Sequence, residues 1–137
     1  MASGLSFHHV GLLTDDPRSA ARRLELAGFV AAESVFDPLQ GATLQLCREA
    51  NGTGMVELIT PSAQNSGLHG LLKRRGDYMY HVCFEVSTLA EGERSLQLDA
   101  DDRLIVVTPP REAILFDNRR VAFYAASGLG LVELLER

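Results

Sequence analysis

The chain has few of the features that mark secreted, membrane or redox proteins. Its only two cysteines, Cys47 and Cys83, are isolated and form no C-x-x-C pair, which indicates two buried thiols in a reducing compartment. The alternative for Cys83 is a nucleophile, because it lies two residues from His81 on one strand face. No stretch approaches the roughly 18 apolar residues of a membrane span. Residues 1–4 show neither a basic region nor an apolar signal core, so we expect a cytoplasmic protein without a membrane partner.

The charge pattern also argues against a nucleic-acid partner. The net charge is −5, and no cluster of Lys and Arg is interleaved with aromatic residues. The one basic triplet, 73–75, is typical of the exposed C-terminal end of a helix, where cations are favoured. Its alternative role is to contact an anionic substrate group. The partner that we expect is therefore a small-molecule substrate.

A short pattern appears twice in the chain. Each half opens with an apolar strand that carries a histidine, His9 or His81, and closes with an apolar strand that carries a glutamate, Glu57 or Glu133. The order is the same in both halves and the spacing is nearly the same. A repeat of this length is typical of one supersecondary unit used twice. We expect a single domain over residues 1–137.

The boundaries of the repeat follow from strand, turn and capping signals. Each half predicts the order β-α-β-β-β. The parts are module one at 5–61, a bridging helix at 62–77 and module two at 78–137. In module one we predict strands at 7–13, 29–36, 42–47 and 55–60, and a helix from Pro17 to about Leu26. In module two we predict strands at 79–86 and 129–135, a helix at 89–98, a strand at 104–108 that Pro109-Pro110 ends, and a hairpin over 113–116 and 119–125.

The repeated histidine and glutamate predict a metal site. Each glutamate stands in an otherwise apolar strand, where an unpaired buried carboxylate costs several kcal/mol or takes up a proton. Two modules related by a pseudo-twofold axis would bring His9, Glu57, His81 and Glu133 together around one divalent ion. A set of two His and two Glu suits Co, Ni, Zn, Mn or Fe(II). The alternative is that each histidine is hydrogen-bonded in a core and each glutamate is exposed on an edge strand.

Five motifs in register resemble the vicinal oxygen chelate superfamily, which includes glyoxalase I, extradiol dioxygenases, methylmalonyl-CoA epimerases and the fosfomycin and bleomycin resistance proteins. The motifs most resemble those of the epimerase-like members. They are His9-Val10-Gly11, Glu57-Leu58-Ile59-Thr60-Pro61, the bridge from Ser66 through Leu72 to Gly76, His81-Val82-Cys83-Phe84-Glu85-Val86, and Val121-Ala122-Phe123 with Leu131-Val132-Glu133-Leu134. Leu44 stands about where such epimerases often carry a catalytic glutamate.

The resemblance implies an α+β fold in which two βαβββ modules form a cupped mixed sheet around the metal. It also implies a metal-dependent isomerase or epimerase that removes a proton next to a carbonyl, on a 2-substituted acyl thioester such as a methylmalonyl-CoA-like substrate. Glu133 would take the proton, with Glu57 as the opposite partner. Members of this fold commonly pair, so we expect a homodimer. The candidate substrate-binding residues are Leu44, Gln45, Phe84, Phe123 and Tyr124.

Two other activities fit the same fold. One is a glyoxalase-type lyase acting on a glutathione hemithioacetal, which needs the same four ligands. The other is a non-catalytic protein that sequesters a natural product or drug and thereby gives resistance. A protein that binds no metal at neutral pH would favour this binding role.

Overall fold

The computed structural model describes residues 4–137. Residues 1–3, on which the expected location in the cytoplasm partly rests, lie outside the described residues. Three α-helices and nine strands are found over 4–137, which confirms the α+β class. The elements are β1 (Ser6–Leu13), α1 (Pro17–Leu26), β2 (Phe29–Ala31), β3 (Val35–Asp37), β4 (Ala42–Glu49), β5 (Met55–Pro61), α2 (Ser66–Arg75), β6 (Tyr78–Val86), α3 (Leu89–Leu96), β7 (Ile105–Ala113), a 3₁₀ turn (Ile114–Phe116), β8 (Arg119–Ala126) and β9 (Gly130–Glu136). Among these helices, none is long and apolar enough to cross a membrane.

The chain divides into two compact units, which are described in turn. The first unit is His9–Tyr80. The second is His81–Arg137 together with residues 4–8.

The first unit contains a mixed sheet with the strand order β2-β4-β5-β1, and β3 also pairs with β4. β1 and β5 run parallel, whereas β4 is antiparallel to β2, β3 and β5. The parallel ladder places Gly11 opposite Glu57 and Leu13 opposite Ile59. Because side chains alternate along a strand, His9, Gly11 and Leu13 point to one face and Val10 and Leu12 to the other.

Helix α1 covers the second of these faces. Its start follows the predicted capping chemistry, because Oδ1 of Asp16 accepts a hydrogen bond from the Ser19 amide at 3.2 Å and Pro17 occupies the first turn. Apolar side chains of the helix and the sheet then pack into one core. This core contains Cys47, Val56 and Leu58, with Val10, Leu12, Ala20, Ala21, Leu24, Phe29 and Ala31 around them. The His9 face of the sheet is therefore the one that α1 does not cover.

Helix α2 follows the same rules. The Asn65 side chain accepts a hydrogen bond from the Leu68 amide at 3.1 Å and so caps the helix start. Gly76, with a φ of 71°, follows the last helical residue in the left-handed region that glycine tolerates. The basic triplet 73–75 occupies the last turn and is exposed, as the sequence predicted.

The second unit repeats the arrangement with the strand order β6-β9-β8-β7. β6 and β9 are parallel, and β8 is antiparallel to both β9 and β7. Glu133 on β9 has a ladder partner on each neighbouring strand, Cys83 on β6 and Phe123 on β8. Helix α3, capped by the Thr88 hydroxyl, covers the alternate face. Its core contains Val86, Leu89, Ala122, Tyr124, Val132 and Leu134.

Gly92 allows α3 to lie this close to the sheet. A Cβ atom added at Gly92 would lie 2.8 Å from Cδ1 of Leu134 and 2.8 Å from Cγ1 of Val86. Val86 is fully buried and β-branched, so it has little freedom to move away. The glycine thus fixes the distance between the helix and the strands.

Three predicted segments are different in the structure. The single strand expected at 29–36 is two strands, β2 and β3, because residues 32–34 leave the ladder with β4. Pro109-Pro110 do not end a strand, since β7 continues to Ala113. β7 is an outer strand of the second unit, and an outer strand tolerates prolines that cannot donate to a ladder. The segment expected as 113–116 in a hairpin is mostly the 3₁₀ turn Ile114–Phe116.

Candidate functional site

The first unit buries a histidine and a glutamate next to each other. The distance from Nε2 of His9 to Oε1 of Glu57 is 3.7 Å, and the two side chains are 0% and 2% exposed. Both lie on the face of the sheet that α1 does not cover. Because the ladder aligns Gly11 with Glu57, the glutamate lies opposite the position two residues after the histidine.

The second unit holds an equivalent pair. The distance from Nε2 of His81 to Oε1 of Glu133 is 3.1 Å, and the two side chains are 0% and 1% exposed. The ladder aligns Cys83 with Glu133, so this glutamate also lies opposite the position two residues after the histidine. The repeat in the sequence is thus a repeat of strand register, of face and of burial.

The donor atoms of each pair suit a divalent metal ion. Two ligand atoms bound at about 2.1 Å to one tetrahedral or octahedral ion are about 3.0–3.4 Å apart. The 3.1 Å separation in the second unit falls in this range and the 3.7 Å separation in the first lies just above it. Each pair offers one imidazole nitrogen and one carboxylate oxygen, which are ligands that Zn, Mn, Fe, Co and Ni accept. The edge-strand alternative is wrong in its second part, because both glutamates are buried.

The sheet in the first unit separates two of the candidate substrate-binding residues. Leu44 lies opposite Ile59 in the ladder and so shares the face of Glu57, where it is fully buried. Gln45 lies opposite Leu58 on the face that α1 covers, and its side-chain amide donates to the carbonyl oxygen of Ala32 at 2.9 Å.

The second unit separates the other three. Phe123 shares the face of Glu133, and its ring makes an edge contact with the His81 ring at a centroid distance of 5.3 Å. Phe84 lies opposite Leu134, on the face under α3. Tyr124 is also under α3, and its hydroxyl donates to Oε1 of Glu93 at 2.6 Å. Burial and this carboxylate both raise the pKa of Tyr124.

The two cysteines lie in different surroundings. Cys47 is buried in the core under α1, and this burial raises the pKa of its thiol. Cys83 is fully buried and lies beside Glu133 in the ladder, on the face of His81. The structure thus bears out two buried thiols.

Sequence reasoning missed the two ion pairs of Glu85, which lies at the end of the His81 face. Glu85 accepts a hydrogen bond from Nη1 of Arg119 at 2.7 Å and another from Nε of Arg137 at 3.2 Å. The hydrogen bond from Arg119 is the main reason why the pKa of Glu85 lies below its usual value. The alternation of β6 from His81 through Cys83 to Glu85 predicts the face of Glu85, but its partners Arg119 and Arg137 are distant in sequence and no local pattern indicates them.

Comparison with known proteins identifies the family. A model of the glyoxalase/bleomycin resistance protein/dioxygenase superfamily matches residues 8–123. The chain belongs to this superfamily. Among proteins of curated function, none matches the sequence.

Three solved structures illustrate the fold of this superfamily member. Methylmalonyl-CoA epimerase from Mycobacterium tuberculosis is 24% identical with a TM-score of 0.80, and the match covers 99% of this chain and 91% of that one. A hypothetical protein from Bacillus halodurans is 16% identical with a TM-score of 0.80, covering 98% and 96%. A Streptomyces coelicolor methylmalonyl-CoA epimerase variant in complex with 2-nitronate-propionyl-CoA is 18% identical with a TM-score of 0.75, covering 98% of each chain. At these identities the likeness shows the fold, and it confirms the resemblance to epimerase-like members.

Proposed function

We propose that His9, Glu57, His81 and Glu133 bind one divalent metal ion, and that the protein is a metal-dependent isomerase or epimerase. The observation that carries the proposal is the equivalence of the two buried pairs in register, face and burial. One pair supplies two ligands, which is fewer than the three or four that protein metal sites use. Both pairs together supply four, which is enough to hold one such ion.

The reaction that suits this set is removal of a proton from the carbon next to a carbonyl. A divalent ion held by these four residues would supply Lewis-acid chemistry that favours loss of that proton. Glu133 takes the proton, and Glu57 is the opposite partner. Both carboxylates are almost fully buried, so water competes little for the proton that they exchange.

The apolar side chains beside the two glutamates form the walls of this proposed site. Leu44 lies on the face of Glu57, and Phe123 lies on the face of Glu133. Gln45, Phe84 and Tyr124 lie on the helix-covered faces, so they are left out of the walls. Leu44 is a hydrocarbon and exchanges no proton, so Glu57 and Glu133 carry the acid–base chemistry.

The proposed substrate is a 2-substituted acyl thioester of the methylmalonyl-CoA type. Methylmalonyl-CoA epimerases are among the proteins that share the fold, and one of these structures holds 2-nitronate-propionyl-CoA. The acyl carbon between two carbonyl groups in such a thioester is acidic enough for a carboxylate to deprotonate it with metal assistance.

Metal analysis of the purified protein tests the ligand set. We expect one divalent ion per chain, at least about hundredfold weaker metal binding in His9→Ala and in His81→Ala, and unchanged binding in His69→Ala. His69 is a matched control because it lies on α2 and contacts the carbonyl oxygen of Ser62 through Nε2 at 2.9 Å. A protein that takes up no divalent ion at neutral pH would contradict the proposal and favour the binding role.

Incorporation of solvent deuterium into methylmalonyl-CoA tests the reaction. We expect exchange by the metal-loaded protein, and loss of exchange in Glu133→Gln at metal concentrations that keep the variant loaded. Glu112→Gln is the control, because Glu112 is exposed on β7. Full exchange by Glu133→Gln would refute the assignment of the base. Turnover of the glutathione hemithioacetal of methylglyoxal, without exchange into the thioester, would replace the isomerase by a lyase.

The expected homodimer stays a prediction. Size-exclusion chromatography with light scattering would test it by giving the mass of the particle in solution.

A further inference from the structure

The register of the outer strand β7 against β8 shifts twice, once between Val106 and Thr108 and once at Pro109-Pro110. Thr108 lies opposite Phe123, and Arg111 lies opposite Val121. Three steps along β7 therefore match two steps along β8, which is the one extra residue of a β-bulge. Without the bulge, strict alternation from Thr108 would place Pro110 on the face of Phe123 and would turn Arg111 to the opposite face.

The bulge turns Arg111 toward the face that carries Glu133. Val121, the partner of Arg111, is two residues from Phe123 on β8 and lies opposite Leu135 on β9. The burial of β7 follows this new alternation, since Arg111 is half-buried, Glu112 is exposed and Ala113 is 1% exposed. Strand β8 lies between Arg111 on β7 and Glu133 on β9, and the two residues are offset by two positions along the strands. Their Cα atoms are therefore about 12 Å apart. A long arginine side chain and a small ligand can bridge this distance.

The charges on this face give Arg111 a role in binding. Two glutamates neutralise a divalent ion, so the proposed metal centre has no net charge left to attract a second anionic group. Arg119 and Arg137 share the carboxylate of Glu85. Arg111 is the third arginine that the second unit presents on this face. Arginine binds carboxylates and phosphates through two parallel hydrogen bonds, which gives direction as well as attraction.

We infer that Arg111 determines substrate specificity by binding an anionic group of the substrate. This inference rests on the proposed function, because it takes the Glu133 face as the substrate side. The anionic group is a carboxylate of the acyl part or a phosphate of the thiol carrier, and the two have the same chemistry for arginine. The pairing of Arg111 with Val121 places this residue on that face.

Calorimetric titration of the metal-loaded protein with three ligands tests the inference. Methylmalonyl-CoA carries the carboxylate and the phosphates, methylmalonyl-pantetheine carries only the carboxylate, and propionyl-CoA carries only the phosphates. We expect Arg111→Met to bind methylmalonyl-CoA about tenfold to hundredfold more weakly than the unsubstituted protein, as for a lost charge-assisted hydrogen bond. Arg111→Lys keeps the charge and should recover part of the affinity.

The two partial ligands identify the source of the anion. A loss for methylmalonyl-pantetheine but not for propionyl-CoA assigns Arg111 to the carboxylate, and the reverse assigns it to a phosphate. Either outcome supports the inference. It is overturned if Arg111→Met binds all three ligands as the unsubstituted protein does, if it loses affinity equally for all three, or if the unsubstituted protein binds none of them.

Two further readouts separate this inference from the proposed function. Arg94→Met is the matched control, because Arg94 is exposed on α3 at the other face and should keep all three affinities. The metal content of Arg111→Met should equal that of the unsubstituted protein. If the ligands bind with the expected pattern but no deuterium is exchanged, the proposed reaction fails and the role of Arg111 remains. If exchange proceeds and Arg111→Met keeps its affinities, the role of Arg111 fails alone.

Discussion

The equivalence of the two His–Glu pairs makes a quantitative prediction about metal-induced stability. Glu57→Gln and Glu133→Gln replace a carboxylate by an amide of the same size, so the packing is kept and one metal ligand is lost in each variant. Because both glutamates hold the same register and are 2% and 1% exposed, we expect the two variants to lose similar metal affinity. Loss of a partner that only supports a ligand costs about tenfold to hundredfold in affinity, so loss of a ligand should cost at least about hundredfold.

The size of the effect follows from ligand binding to the folded state alone. At a metal concentration of about 1,000 times Kd, binding stabilises the unsubstituted protein by about 4.1 kcal/mol. A variant with hundredfold weaker binding is then at about ten times Kd and gains about 1.4 kcal/mol. The difference is about 2.7 kcal/mol. For a chain of this length it corresponds to a metal-induced rise in Tm that is about 10 °C smaller.

Thermal unfolding with and without metal, followed by circular dichroism, measures this difference within each variant. The control is Glu136→Gln, since Glu136 lies on β9 like Glu133 but accepts hydrogen bonds from Arg120 and from the Leu89 amide. Its metal-induced rise should match that of the unsubstituted protein, even if its starting Tm is lower. A full rise in either Glu57→Gln or Glu133→Gln would refute the idea that the two pairs share one ion.

Two further predictions concern stability. Gly92→Ala should lower the free energy of unfolding by about 1 kcal/mol in urea denaturation, because overlap in the core outweighs the gain in helix propensity. In Gly70→Ala the added Cβ meets only the flexible end of a side chain, so this variant should instead be stabilised by up to about 1 kcal/mol. Equal changes in the free energy of unfolding of both variants would contradict the reasoning. Glu85→Gln should destabilise by about 1 kcal/mol at pH 7. Arg119 lowers the folded-state pKa of Glu85 below the usual 4.5, so the difference in free energy of unfolding between the two proteins should be complete above pH 4.5. The difference should vanish as the pH falls through the lowered pKa. A difference that persists at pH 2 would argue against the ion pair.

The repeated pattern was sufficient to predict most of the fold. Helix α1 begins at Pro17 and ends at Leu26 as its capping and apolar spacing predicted. The strands that carry the histidines and glutamates were also placed within one or two residues. These elements depend on interactions between neighbours in sequence, such as side-chain caps, turn residues and hydrophobic periodicity, and such interactions can be read without knowing the partner strand.

The choice of candidate substrate-binding residues did not take account of the alternation of side chains along a strand. Leu44 with Gln45, and Phe123 with Tyr124, were grouped although neighbours on a regular strand point to opposite faces. The register with β5 and β9 decides which member of each pair meets a glutamate. Period-two alternation was already in the sequence, and applying it to these pairs would have excluded one residue of each.

The amino-acid sequence by itself determined the two modules, their helices and strands, and the positions of His9, Glu57, His81 and Glu133, because these follow from local propensities and from a repeat. Only the tertiary structure decided that β7 continues through Pro109-Pro110 and that Arg111 turns toward the face of Glu133. A bulge is a mismatch between two strands that are paired through long-range hydrogen bonds. Its position is set by the partner strand, so no single stretch of sequence contains it.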